Sequence, residues 1–149
     1  MSAENNLKYW NEIKEGDVLD PIILPVPFEK VILNAAATQD FFPGHHNPDY
    51  AKQQGQKNIY LNTMAIQGII DRVASDWLGP HVFIRKRTMK IQNSIYAGDI
   101  LHGAGVVEKC KEENGRYLMN ISITLSTNNA ICVPALLTVE VPFSKKVLK

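Results

Sequence analysis

The stretch NTMAIQGIIDRVASDWLG at residues 62–79 constrains the fold of this chain more than any other. Its apolar side chains recur every three or four residues, which predicts a helix with one broad apolar face. Asn62 suits the cap of that helix, because its side chain can accept a hydrogen bond from a free amide of the first turn. We expect this helix to lie in the core, with Trp77 packed there and not serving as a substrate platform. The apolar positions are Met64, Ile66, Ile69, Ile70, Val73, Trp77 and Leu78.

Four long extended segments follow this helix. They are rich in β-branched residues and separated by turn signals such as YAGD and ENG. Tight turns join the last three segments, which predicts that they are neighbours in an antiparallel sheet. The predicted strands cover residues 81–92, 100–109, 116–126 and 131–142. Together with the helix, they predict an α+β fold in which the sheet wraps around the central helix.

Shorter elements precede the central helix. An extended apolar run at 22–26 leads to a predicted helix at 28–37, with Pro27 just ahead of it, where a helix tolerates proline. A second short helix is predicted after Pro48, ending at Gly55. The residues between these two helices form the stretch DFFPGHHNP at 40–48.

The composition describes a globular protein of 149 residues, with 45% apolar and 21% charged residues. We expect one domain, residues 1–149. A formal net charge of +1 gives no reason to expect a nucleic-acid partner. Cys110 and Cys132 fit no metal or disulfide pattern, so we interpret them as reduced packing residues. The N-terminus lacks the apolar region of a signal peptide, and no apolar stretch approaches the ~20 residues of a membrane span, which predicts a cytoplasmic protein.

Asp40 and His45 are the candidate acid–base residues of DFFPGHHNP. They lie five positions apart with Pro43-Gly44 between them, so a turn can bring carboxylate and imidazole into one pocket. The same residues also suit an ordinary turn, with Asp40 as a cap and the histidines solvated. A zinc site is disfavoured, because His45 and His46 are adjacent and point apart in most backbone conformations.

The residues TQDFFPGHHNPDYA at 38–51 resemble the signature of the MaoC-like family, which includes the type-2, (R)-specific enoyl-CoA hydratases. The signature runs small residue, glycine, aspartate, any residue, asparagine, proline, aliphatic residue, histidine, five residues, then alanine or serine. Among the positions that depart from it, Gln39 replaces the glycine and Phe42 replaces the asparagine. The matching positions are Thr38, Asp40, Pro43, His45 and Ala51.

The resemblance extends over residues 9–142. YWNEIKEGD at 9–17 and IYAGDIL at 95–101 look like the opening and a later turn of the family. LNTMAIQGIIDRVASDWLGP at 61–80 is similar to a branch of acyl dehydratases that includes steroid side-chain hydratase subunits. The resemblance implies the hotdog fold, a single domain with an antiparallel sheet wrapped on one long helix, which agrees with the predicted order of elements.

The resemblance also implies the chemistry. Hydration of a trans-2-enoyl thioester needs a water to attack the β-carbon, a proton for the α-carbon, and a donor for the oxyanion that develops. In the family the aspartate and histidine jointly orient and deprotonate the water, which assigns catalysis to Asp40 and His45. In reverse, the pair dehydrates a 3-hydroxyacyl thioester. The implied substrate is an acyl-CoA, with no separate cofactor and no metal.

The oxyanion donor is expected at the start of the central helix, where backbone amides are free and the helix dipole is positive. Family members commonly have His-Gly there, whereas this chain has Asn62-Thr63, so the Thr63 amide is the candidate. Phe42 cannot make the hydrogen bonds of the asparagine that it replaces, but it can line an apolar acyl pocket. His46 or Asn47 can substitute as a polar neighbour, or both can face solvent.

The resemblance implies an (R)-specific enoyl-CoA hydratase or 3-hydroxyacyl dehydratase that forms a homodimer or a larger hotdog assembly. Two other functions stay open: a subunit that depends on a second MaoC-like chain, and a hotdog thioesterase, since a fold does not fix a function. Residues 85–87 (RKR) either contact CoA phosphates or form a solvated edge of the sheet.

Overall fold

A computed structural model describes residues 7–144 of the chain. Residues 1–6 and 145–149 lie outside the described part, and residues 1–6 include the start of the N-terminal segment that lacks a signal-peptide pattern. The helices are α1 (Phe28–Ala37), α2 (Pro48–Gln53) and α3 (Thr63–Leu78), and short 3-10 turns occur at Trp10–Glu12 and Pro43–His45. The strands are β1 (Ile22–Pro25), β2 (Phe83–Met89), β3 (Ile100–Glu113), β4 (Arg116–Ser126) and β5 (Ile131–Glu140).

The five strands form one antiparallel sheet in the order β1-β3-β4-β5-β2. The predicted neighbours β3, β4 and β5 are confirmed. The turn between β3 and β4 has Asn114 at φ 52° and Gly115 at φ 72°, and two left-handed residues are what a tight hairpin of this kind requires. Strand β3 runs four residues further than predicted, to Glu113, because the hairpin partners stay paired up to this turn.

Helix α3 packs its apolar face against the concave side of the sheet, and the predicted central helix is confirmed. In β4 every second residue from Met119 to Leu125 is buried, as expected for a strand with one face toward the core. Gly103 of β3 allows the helix to approach closely, because an added Cβ would lie 2.8 Å from Val73 Cγ2. The fully buried residues of α3 include Ile66, Ile70, Val73 and Leu78. Trp77 is 6% exposed.

Met64 is the exception on the predicted apolar face. It occupies the first turn of α3 and is 42% exposed, so it belongs to the surface at the helix start and not to the core. Two residues of helix turn Met64 roughly 200° away from Ile66, so the two side chains lie on nearly opposite faces and only Ile66 is buried. Within residues 7–144, no helix has the length and apolar character needed to cross a membrane.

Candidate active site

Asp40 is held by the turn that ends α1. The Asp40 amide donates to the Ala35 carbonyl at 2.9 Å and the Gln39 amide donates to the Ala36 carbonyl at 3.2 Å, which together make a Schellman motif. Gln39 takes the left-handed position of that motif, with φ 55°. This position favours glycine, so the departure from the signature at Gln39 places a side chain where the left-handed backbone conformation strains it. The turn therefore fixes the place from which the Asp40 carboxylate projects.

His45 lies at the end of the 3-10 turn Pro43–His45 and is 8% exposed. Its Nδ1 lies 2.8 Å from the backbone carbonyl oxygen of Tyr60. A carbonyl can only accept, so Nδ1 carries the proton and donates. In the neutral imidazole, Nε2 is then left with a free lone pair.

The Nε2 atom of His45 faces Asp40, with 3.5 Å between Nε2 and Oδ2. This separation is longer than a good direct hydrogen bond, and both atoms are acceptors when the imidazole is neutral. A water molecule that donates one hydrogen to each group satisfies both. The Asp40 side chain is 27% exposed and that of His45 is 10% exposed, so the pair is partly open to solvent.

Two aromatic rings pack against His45. The ring of Tyr60 meets that of His45 edge to face, with centroids 5.0 Å apart, and Phe42 does the same at 5.5 Å. Gly44 must be small, because an added Cβ would lie 2.6 Å from the Tyr60 hydroxyl and 2.7 Å from Phe42 Cε1. Burial, with smaller contributions from the charges of Tyr50 and Tyr96, raises the pKa of Tyr60. Packing therefore holds the imidazole on two sides.

Phe42 packs on neighbouring rings, and its role in lining an acyl pocket stays a prediction. Besides His45 it contacts the Tyr50 ring edge to face, with centroids 5.6 Å apart, and it is 45% exposed. It is absent from the lining of the cavity of about 280 Å³ beside α3. The departure from the signature at Phe42 thus replaces an amide with a ring that packs on the catalytic candidate itself.

His46 and Asn47 turn away from the Asp40–His45 pair. The exposed His46 ring places Nε2 3.0 Å from the Phe41 carbonyl, to which it donates. Asn47 caps α2, since its side-chain oxygen accepts from the amides of Asp49 and Tyr50 at 3.0 and 3.1 Å. Local hydrogen bonds therefore engage both side chains, and a role for either residue as a polar neighbour of the pair stays a prediction.

Asn62 caps α3 as predicted and is itself buried, with 2% exposure. Its Oδ1 accepts from the Ala65 amide at 2.9 Å, and its Nδ2 donates to Thr38 Oγ1 at 2.6 Å. Among the hydrogen bonds of residues 7–144, none engages the amides of Thr63 and Met64. These two amides are free donors at the positive end of the helix, whereas the Asn62 side chain is occupied by the protein.

The Asn62–Thr38 hydrogen bond joins the two elements of the site. Thr38 is the C-cap of α1, two residues before Asp40, and its hydroxyl donates to the Asn34 carbonyl at 2.6 Å. The start of α3 is therefore tied to the turn that carries the carboxylate. Sequence analysis missed this link and the role of Tyr60, because a backbone carbonyl and a pairing across 24 residues leave no local signal.

Arg85 and Arg87 of the basic run at 85–87 bind carboxylates of the same chain. Arg87 binds Asp71 of α3 through two hydrogen bonds of 3.0 and 2.8 Å, and Arg85 binds Glu140 with a hydrogen bond of 2.6 Å. These pairs join strand β2 to its neighbours, which favours the structural interpretation of the run. Within residues 7–144, no group of three or more His, Cys, Asp or Glu side chains is arranged to hold a metal.

No family model matches the chain. The 3-oxo-4,17-pregnadiene-20-carboxyl-CoA hydratase beta subunit of Mycobacterium tuberculosis is 34% identical over 77 residues, which cover 52% of this chain and 60% of that protein. The match therefore spans less than two thirds of the relative's length.

Solved structures show the same fold. The ChsH1-ChsH2 complex from Mycobacterium tuberculosis has a TM-score of 0.81 at 26% identity, covering 86% of this chain and 98% of the matched chain. The unliganded R-hydratase PhaJ1 from Pseudomonas aeruginosa has a TM-score of 0.81 at 17% identity, covering 91% and 86%, and at that identity the likeness shows the fold alone. The predicted hotdog fold and the resemblance to MaoC-like and (R)-hydratase proteins are confirmed.

Proposed function

We propose that this chain, similar in sequence to a hydratase subunit and with the fold of MaoC-like and (R)-hydratase proteins, adds water reversibly to the double bond of a trans-2-enoyl-CoA. The observation that carries the proposal is the 3.5 Å approach of His45 Nε2 to Asp40 Oδ2, with His45 Nδ1 held by the Tyr60 carbonyl. That hydrogen bond fixes the tautomer in which Nε2 accepts a proton, which a general base requires.

In the forward direction a water molecule donates one hydrogen bond to His45 and one to Asp40. Its oxygen attacks C3 of the enoyl thioester while Nε2 takes its proton, and the electron pair of the double bond moves through C2 onto the thioester oxygen. The pair then returns a proton to C2. Hydroxyl on C3 and hydrogen on C2 together account for the water, so the protein ends in its starting protonation state.

The thioester oxygen becomes negative between these two events. The amide of Thr63, with that of Met64 beside it, is the proposed donor, because both N–H groups are free at the start of α3. Because the side-chain oxygen and nitrogen of Asn62 both form hydrogen bonds within the protein, Asn62 supports this donor without binding substrate. Loss of one such donor costs on the order of 100-fold in rate.

A second candidate is a subunit whose activity requires a partner chain. The observation in its favour is the exposure of three apolar residues that are close in the chain to the proposed site residues: Phe41 is 66% exposed, Phe42 45% and Met64 42%. Exposed apolar side chains are typical of a surface that another chain covers when they form one patch. The similar protein in the ChsH1-ChsH2 structure is one chain of a complex of two subunits.

The experiment is a spectroscopic assay of trans-2-enoyl-CoA hydration by the purified chain, with chiral analysis of the 3-hydroxyacyl product and a parallel assay for free CoA. We expect loss of the enoyl thioester absorbance, an (R)-product and no free CoA. Release of CoA would instead identify a thioesterase. If only a complex purified from the natural source is active, an Asp40→Asn substitution within that complex decides which chain carries the chemistry.

A further inference from the structure

The cavity beside α3 has apolar walls and a volume of about 280 Å³. Helix α1 and strand β1 close its other side. This volume is near the lower end of the range for small-molecule pockets, about 300–1,000 Å³. It therefore suits one acyl tail and is too small for a whole CoA thioester. The apolar part of the lining includes Leu24, Val26, Leu61, Ala65, Ile69 and Leu101, with Gly68 beside them.

The cavity begins next to the proposed site. Leu61 and Ala65 lie on either side of the Asn62 cap, and Asn34 in the opposite wall accepts the hydrogen bond from Thr38. Both walls therefore continue into the segments that carry the reacting groups: α1 leads to Asp40, and α3 starts at Thr63. Thr63, whose amide is the proposed oxyanion donor, lies in the chain between the lining residues Leu61 and Ala65.

Gly68 is the residue of the lining that the fold leaves unexplained. It lies in the second turn of α3, where glycine is less favourable than alanine. It is not among the glycines with positive φ. Within the described residues, nothing comes within 4 Å of a Cβ added at this position. Neither backbone conformation nor packing requires glycine here, and Gly68 is an exposed residue that is also part of the cavity lining.

We propose that Gly68 determines the acyl specificity of the proposed hydratase, because its missing side chain leaves the room that a long acyl tail fills. The inference rests on the proposed function for the identity of the ligand. Five residues of helix separate Thr63 from Gly68, a rise of about 7.5 Å, which corresponds to roughly six carbons of an extended tail. Short acyl groups end before Gly68, and longer ones pass over it.

The lining of the cavity also contains two cationic residues, Lys30 of α1 and Arg72 of α3. Arg72, one turn beyond Gly68, binds Asp76 through Nε at 2.9 Å, so its charge already has a partner. The proposed ligand is therefore an acyl group longer than about six carbons that fills the apolar part of the lining.

The test measures binding of saturated acyl-CoA thioesters, which have no double bond and cannot be hydrated. Titration calorimetry compares butanoyl-CoA with decanoyl-CoA on the wild type, Gly68→Leu and Gln67→Leu. Gln67 neighbours Gly68 on α3 and is absent from the cavity lining, so it controls for a leucine at this level of the helix. Gly68→Ala is the milder variant, and it should raise the Tm by about 2–4 °C because alanine favours the helix.

We expect Gly68→Leu to weaken decanoyl-CoA binding by about tenfold or more and butanoyl-CoA binding by less than about threefold, with Gly68→Ala intermediate and Gln67→Leu like the wild type. Equal losses for both ligands, no loss for either, or a change of oligomeric state in place of a change in binding would overturn the inference. Length-dependent binding without any hydration would defeat the proposed function alone, and hydration with unchanged length preference would defeat this inference alone. A wild type that binds neither thioester contradicts both.

Discussion

Asn62 Nδ2 donates a hydrogen bond of 2.6 Å to Thr38 Oγ1, and this bond joins the start of α3 to the end of α1. Because Asp40 follows Thr38 by two residues and the free amide of Thr63 follows Asn62 directly, the bond sets the position of the proposed base relative to the proposed oxyanion donor. Both side chains are engaged further, Thr38 with the Asn34 carbonyl and Asn62 with the Ala65 amide.

Thr38→Val removes the acceptor and leaves the Asn62 amide buried without it. We expect a loss of about 1–3 kcal/mol in the free energy of unfolding, and a fall in kcat of up to about 100-fold because the reacting groups shift. Thr38→Ser, which keeps the hydroxyl, should restore most of both. Thr138→Val is the matched control, since it removes a Thr–Asn hydrogen bond of 3.0 Å between β5 and β4. If that control lowers kcat as much as Thr38→Val, the link has no special role in the site.

Gln39→Gly should stabilise the chain by about 0.5–1 kcal/mol, because glycine adopts the left-handed conformation of this Schellman motif without a steric penalty. Denaturant unfolding measures the change. Hydration activity should stay within a few-fold of the wild type, since the Asp40 amide keeps its bond to the Ala35 carbonyl. A Gln39→Gly protein that is less stable would show that the glutamine side chain makes a contribution larger than its backbone strain.

Gly44→Ala should destabilise the chain by about 1–3 kcal/mol, because the new methyl group overlaps the Tyr60 hydroxyl and the Phe42 ring. Since these rings hold His45, the substitution should also lower kcat. Adding Tyr60→Phe removes the nearest atom, the hydroxyl oxygen at 2.6 Å, and should recover part of the loss. The free energies of unfolding of the wild type, both single variants and the double variant form a double-mutant cycle. Additive losses in that cycle would contradict the proposed contact.

Tyr60 also predicts a change in stability at alkaline pH. Burial raises its pKa above the ordinary value of 10.0. Between the unfolded and the folded pKa, the unfolded chain binds fewer protons than the folded one, so stability is fully present below the unfolded pKa and falls as the pH rises toward the folded pKa. Tyr60→Phe should therefore lose less stability above pH 10 than the wild type does. Free energies of unfolding that fall equally with pH in the two proteins over this range would exclude the effect. The cysteines, whose pKa values burial also raises, are common to both proteins and cancel in the comparison.

The fold followed from the sequence where periodicity is strong. The spacing of apolar residues in α3 and the tight turns of the last three strands predicted the central helix and the order of those strands. Met64, predicted to belong to the apolar face, is exposed because it lies roughly 200° around α3 from Ile66. Asp40 and His45 were found through their motif and their chemistry. Their supporting contacts were not, because Tyr60 acts through its carbonyl and Asn62 pairs with a distant residue, and neither interaction depends on a local pattern.

Phe42 is a second case in which the sequence showed a departure from the motif but not how the side chain packs. Its replacement of the signature asparagine was visible in the sequence, and a place in an acyl pocket was a reasonable expectation for a phenyl ring. The structure packs it on His45 and Tyr50. Ring packing depends on residues up to eight positions away and on the conformation of the intervening turn, which the side-chain type does not determine.

The central claim is that Asp40 and His45 form one catalytic pair. The direct test measures kcat/KM for hydration of a trans-2-enoyl-CoA by the active form of the protein with Asp40→Asn, His45→Gln and His46→Gln. We expect the first two substitutions each to lower kcat/KM by about 10²–10⁴-fold with the fold intact. His46→Gln, which changes the neighbouring exposed imidazole bound to the Phe41 carbonyl, should keep most of the activity. Hydration at the wild-type rate by either Asp40→Asn or His45→Gln would contradict the account.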